Sequence, residues 1–138
     1  TMWNGTRTLA ERIAEGIRLA DPAVVVKTAN IAKRDDNDLI TEVFKSKAVV
    51  VGSPTMGNSV LHSVAGFVHF MKELKFKNKK AAAFGCYGWS GESVKVLNEM
   101  LKGAGLQVVH DGHRAMWTPD DAAQQAAVAY GKELAGLL

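Results

Sequence analysis

The chain has 138 residues, 47% of them hydrophobic and 22% charged, with a net charge of +3. That length supports one ordinary domain with its own core, and the single cysteine, Cys86, excludes an intrachain disulfide and a cysteine-based zinc site. No apolar run reaches the roughly 18 residues of a membrane span, no secretory signal opens the chain, and so mild a charge makes no case for nucleic acid; a cytoplasmic address is expected.

Leu9, Ile13 and Ile17 fall at helical spacing and predict a helix over residues 6–19, with Arg7 and Glu11 able to pair one turn apart. Asp21-Pro22 ends it, and the valine-rich residues 23–31 read as a strand. After a polar stretch at 33–38, Leu39, Ile40, Val43 and Phe44 mark a short helix. Residues 48–51 form an unbroken apolar run closing on Gly52, the pattern of a strand buried on both faces. Val60, Val64, Val68 and Met71 predict a helix over 60–74, and residues 80–84 a second short strand closing on Gly85. Val94, Leu97 and Leu101 predict the next helix, capped by Gly103 or Gly105, and residues 106–109 start another strand. Thr118-Pro119-Asp120-Asp121 reads as a helix start with a threonine hydroxyl cap, followed by Ala123, Ala127, Tyr130, Leu134 and Leu137 toward the core.

Helices alternating with buried strands indicate an α/β fold: a three-layer, doubly wound parallel sheet in a single domain over residues 1–138. The chain opens on a loop and a helix, with no strand before them, whereas an open α/β domain normally begins with one.

In such sheets ligands sit beyond the carboxyl ends of the strands, and three loops fall there. Thr1, Met2, Trp3, Asn4, Gly5 and Thr6 run straight into a helix. Hydroxyls and helix-start amides suit a phosphate monoester, although an ordinary threonine N-cap fits the same residues. No lysine follows the glycine, which excludes a nucleotide-triphosphate loop. Ser53, Pro54, Thr55, Met56, Gly57 and Asn58 follow the first buried strand, where a plain turn is the simplest reading. Gly85, Cys86, Tyr87, Gly88, Trp89, Ser90 and Gly91 place two aromatic rings in a glycine-rich loop. Such rings either stack on something planar or fill a packing gap. Glu92 stands where a serine-hydrolase elbow needs glycine, so that chemistry is excluded, and Cys86 reads as a small filler.

Together the loops TMWNGT, SPTMGNS and AFGCYGWSGE, with the turn LKFKNKKAAAFG and the tail around TPDD, resemble the flavodoxin-like domain of flavodiiron proteins along essentially the whole chain. The resemblance implies FMN as cofactor. Residues 1–6 would hold its phosphate, Pro54, Thr55, Met56, Gly57 and Asn58 would edge the isoalloxazine, and residues 85–91 would cover it, with Trp89 stacking. It also implies electron transfer from rubredoxin or a reductase to a diiron centre in another domain, and a homo-oligomeric full-length protein. The family's first strand and its diiron domain have no counterpart in these residues, so the chain is expected to be a fragment of a longer one. Its basic balance, unlike the acidity of free flavodoxins, suits a domain receiving electrons from an acidic carrier.

Two other readings stay open: a cofactor-free interaction module with the same fold, and a flavodoxin-like quinone reductase, for which no nicotinamide site is visible. The basic run Lys72, Lys75, Lys77, Lys79 and Lys80 reads as a solvated turn or a docking patch for an acidic partner. His62 and His69 lie two helical turns apart, roughly 10 Å, too far to share a metal. His110 and His113, odd-spaced in an expected strand, should point to opposite faces. A receiver domain would need an aspartate where Gly52-Ser53 stands.

Overall fold

A computed structural model describes residues 3–138. In chain order the elements are α1 (Gly5–Ala20), a 3-10 turn (Ile31–Lys33), α2 (Asp36–Lys45), β1 (Ala48–Gly52), α3 (His62–Glu73), β2 (Lys80–Tyr87), α4 (Glu92–Gly103), β3 (Gln107–Val108), β4 (His113–Met116) and α5 (Asp121–Leu137). β2 is the middle of an all-parallel sheet, with β1 along one edge and β3 and β4 sharing the other.

The two faces of β2 separate two cores. Ala81 and Ala83 join the cluster built by α2, α3 and α4, while Ala82 and Phe84 join the one built by α1 and α5. This is the period of two that a strand imposes. Right-handed crossovers that advance in the same direction put α3 and α4 on one face. On the other face α1 and α5 cross through Gly16 and Gly131: a Cβ on either would lie 2.1–2.2 Å from a backbone oxygen of the opposing helix. Only glycine permits this approach.

Four expectations need correction. Residues 23–31 form no strand: β1 is paired with β2 along one edge alone among the described residues, and Val24 and Val25 are exposed with no ladder to join. A strand needs a neighbour for its backbone groups, and valine content alone does not supply one. β2 runs on through Gly85 and Cys86 to Tyr87, because β4 pairs with residues 84–87. The third loop therefore begins at Gly88. The cap of α5 is Asp120, whose carboxylate accepts from Ala123 N–H at 2.8 Å; Thr118 lies before it.

The fourth correction concerns the expected strand at residue 106. It breaks after β3 and resumes as β4, with Gly112 at φ +103° in the gap. A Cβ there would meet Val94 at 2.3 Å and the Ala83 carbonyl at 2.9 Å. The break leaves that buried carbonyl without a ladder partner, and the Tyr130 hydroxyl donates to it at 3.0 Å instead. The same break lets His110 and His113 both reach Tyr130, with ring centroids 4.8 and 5.3 Å away, instead of facing opposite sides. No described helix is long and apolar enough to cross a membrane.

Candidate functional site

Parallel strands bring all their carboxyl ends to one side of the molecule, and the loops leaving β1, β2 and β4 meet the start of α1 there. Of the first loop, Thr1 and Met2 lie outside the described residues. Trp3 is exposed, and Asn4 turns the chain through the left-handed region at φ 57° into α1. The Asn4 side chain does not cap the helix, and no acid stands in the first turn. Thr6 Oγ1 is buried with no hydrogen-bond partner among the described residues. A Cβ on Gly5 would collide with Cys86 Sγ at 2.8 Å, so the first loop lies directly on the end of β2.

That combination fits a phosphate monoester. A 16-residue helix aims its positive end outward, its cap is left free for an outside acceptor, and a buried hydroxyl lacks a partner that a phosphate oxygen would supply. The alternative of an ordinary threonine cap does not hold, since Asn4 takes the cap position and its side chain caps nothing.

The second loop is a rigid shelf. Ser53 N–H donates to Phe84 O and Thr55 N–H to Cys86 O, extending the β1–β2 ladder beyond the strand proper. Met56 and Ser59 then exchange two backbone hydrogen bonds of 3.0 Å around Gly57 and Asn58, both at positive φ, as in a tight hairpin turn. Ser53 itself is completely buried: its hydroxyl accepts from Leu61 N–H, and its carbonyl accepts from Ser93. Thr55 Oγ1 donates to Ser93 Oγ at 3.0 Å and accepts from Ser93 N–H, which ties the shelf to the start of α4. Pro54 and Thr55 are half-buried, while Met56, Gly57 and Asn58 are exposed.

In the third segment Gly85 is buried, and a Cβ there would lie 2.6 Å from Ser53 O. Both Gly85 and Ser53 thus support the loops from below. Cys86 donates its thiol to the Trp117 carbonyl. Burial pushes that thiol above its ordinary value, against a smaller opposing pull from the Tyr87 backbone, so a thiolate nucleophile is disfavoured. Tyr87, Gly88 and Gly91 are half-buried, whereas Trp89 is 89% exposed.

Trp117 is the residue that sequence reasoning passed over. It follows β4 in the left-handed region at φ 53°, donates its N–H to Tyr87 O at 2.7 Å, and lays its ring over Gly88. Its indole meets Trp89 edge-on, with centroids 5.3 Å apart and planes at 63°. Met116 beside it is exposed as well. A signal existed: Met116-Trp117-Thr118-Pro119 places a large ring directly after a short strand, as Trp89 stands after β2. Among the described residues no His, Cys, Asp or Glu cluster is arranged to hold a metal ion.

Comparison with known proteins decides the family. The flavodoxin family profile matches residues 1–131. The chain belongs to the flavodoxin family. It is 44% identical over 135 residues to the anaerobic nitric oxide reductase flavorubredoxin of Shigella dysenteriae serotype 1, covering 98% of this chain and 28% of that protein. Among solved structures it is similar to rubredoxin oxygen:oxidoreductase from Desulfovibrio gigas, at 34% identity and a TM-score of 0.90, covering 98% of this chain and 33% of the other. It is also similar to a flavodoxin from the domain Archaea, at 27% identity and a TM-score of 0.84, covering 96% of this chain and 90% of that one. The chain thus spans about a third of the flavodiiron proteins it matches and nearly all of a free flavodoxin. It is a flavodoxin-like domain of the flavodiiron and flavorubredoxin type, and its cofactor is FMN.

Proposed function

We propose that this domain holds FMN at the convergent loops and carries electrons between a rubredoxin-like or reductase donor and a diiron centre in another part of the protein. The observation that carries the placement is the buried Thr6 hydroxyl, without a partner among the described residues, at the uncapped start of α1. FMN, when bound, accepts and releases the electrons. The chain's own residues bind, orient and insulate it.

In this reading Asn4, Gly5 and Thr6, with Thr1 and Met2 before them, take the phosphate by backbone amides and hydroxyls. Gly5 keeps the backbone close enough to do so. The Met56–Asn58 turn and Pro54-Thr55 edge the ring, while Trp89, Trp117 and Tyr87 offer aromatic faces and Gly88 and Gly91 leave them room. Ser53 and Gly85 fix the loops from beneath. No residue of the chain acts as acid, base or nucleophile. Partners reach the ring at this end, where Met56, Trp89, Met116 and Trp117 expose apolar surface.

We also propose that a further strand of the full-length polypeptide pairs with the second edge of β1, between it and the irregular residues 25–30. Val26 and Val50 already pack into one cluster, and the relatives are about three times longer. A homo-oligomeric full-length protein in the cytoplasm fits the same reading. The test is spectroscopic: the purified protein should show flavin absorbance, and denaturation should release a flavin identified as FMN. A colourless protein that fails to take up added FMN would instead mark a cofactor-free interaction module.

A further inference from the structure

We infer that the end of the sheet opposite the flavin loops is a docking site for an acidic protein segment carrying an apolar side chain. Phe44, at the last turn of α2, is 59% exposed and rests edge-on against Phe76 at 4.7 Å. Leu74, at the end of α3, is 37% exposed. Around them stand exposed lysines from separate elements: Lys47 before β1, and Lys75 and Lys77 in the turn leading to β2. None of these three has a carboxylate partner among the described residues. The nearby acids are engaged elsewhere, Glu42 with Lys27 and Lys45, and Glu73 with His69.

The patch is held as one piece. The Lys79 ammonium donates to the Ser46 carbonyl and lies 5.3 Å from the centre of the Phe76 ring, and Lys80 N–H donates to Lys47 O at 3.2 Å. Lys75 and Asn78 occupy the left-handed region, so the turn that presents the lysines has a defined shape. An exposed aromatic anchor ringed by charge of one sign is the anatomy of a protein interface, with a desolvated centre and an electrostatically selective rim. The lysines flank one ring pair, Phe44 and Phe76, with no further ring beside them in sequence. Nucleic acid, which calls for successive stacking platforms, and a membrane, which calls for an inserted apolar face, both fit less well.

The site is not an electron entry. Lys80 and Tyr87 end the eight-residue β2, seven steps or roughly 23 Å apart, too far for direct transfer from a carrier bound at the lysine end. A partner held here is tethered, leaving the flavin end free. Only the exclusion of electron entry rests on the proposed flavin site; the docking itself is read by peptide binding, which the protein without FMN should show equally.

The test is titration of the FMN-loaded protein with a fluorescent synthetic peptide of glutamate and aspartate residues around one central leucine. Binding should weaken about tenfold in the triple variant Lys47→Ser, Lys75→Ser, Lys77→Ser, with loss of most of its salt dependence. Phe44→Ala should weaken it severalfold with the salt dependence intact, and FMN affinity should be unchanged in both. Equal binding by the wild-type protein and the triple variant overturns the inference. So does an unaffected Phe44→Ala, or tighter binding of oligodeoxythymidine or phosphatidylserine vesicles than of the peptide.

Discussion

Gly5 and Cys86 sit so close that a Cβ on Gly5 would stand 2.8 Å from the cysteine sulfur. The contact joins the loop proposed for the phosphate to the strand end beneath the proposed ring site. Gly5→Ala should force the first loop off β2 and weaken FMN by about 1–3 kcal/mol, the usual scale of overpacking. Cys86→Ala removes the far side of the clash and should restore part of that loss in the double variant. Purely additive losses in FMN titrations would show that the two residues do not share the strain.

Tyr130→Phe should destabilise the fold by about 1–3 kcal/mol. The hydroxyl is the hydrogen-bond donor to the Ala83 carbonyl in the gap between β3 and β4. Removing it leaves a buried acceptor unsatisfied while the ring packing stays. Urea unfolding of the two proteins measures the difference, and an unchanged midpoint would mean water fills the gap at no cost.

His113 should make the domain sensitive to mild acid. Burial first, and then neighbouring His110, hold its pKa below the ordinary 6.5. Its Nε2 is buried without a partner among the described residues, while His110 accepts from Gly112 N–H at Nδ1 and places Nε2 3.4 Å from the Glu133 carboxylate. The unfolded chain takes up the proton more readily than the folded one. The stability this group provides is therefore complete above 6.5 and lost as pH falls below it, toward the folded value. Urea midpoints at about pH 7.5 and 5.5 should separate more for the wild type than for His113→Phe, which keeps a ring against Tyr130. The same separation in both would assign the acid sensitivity elsewhere.

The helices were legible because each repeats its apolar residues over several turns, as Leu9, Ile13 and Ile17 do in α1. β1 and the start of β2 were legible as short apolar runs ending in glycine. What failed was whatever depends on a neighbour. Residues 23–31 have strand composition but no strand beside them, and the break at Gly112 answers to Val94 and Ala83, which lie far away in sequence. The site divides in the same way. Loop composition and resemblance pointed to Asn4, Gly5, Thr6, Met56 and Trp89, whose part in holding the flavin is the proposal the titrations test. Trp117 escaped because its place beside Trp89 follows from the β2–β4 register, and the supporting roles of Ser53 and Gly85 follow from a bond network with Ser93.

The placement of FMN rests most directly on Thr6. Thr6→Val keeps the side-chain shape and removes a buried hydroxyl that has no partner among the described residues, so the cofactor-free protein should be no less stable. Its affinity for FMN should fall by about 1.5–3 kcal/mol, the worth of a hydrogen bond to a charged group, while riboflavin, which lacks the phosphate, should bind as before. Trp89→Ala should weaken both flavins alike, by about 1–3 kcal/mol on the scale of aromatic stacking. The decisive quantity is the ratio of FMN to riboflavin affinity in Thr6→Val, measured by titration. A ratio that collapses relative to wild type is the result expected, and a ratio that stays at the wild-type value would contradict the phosphate site at the start of α1.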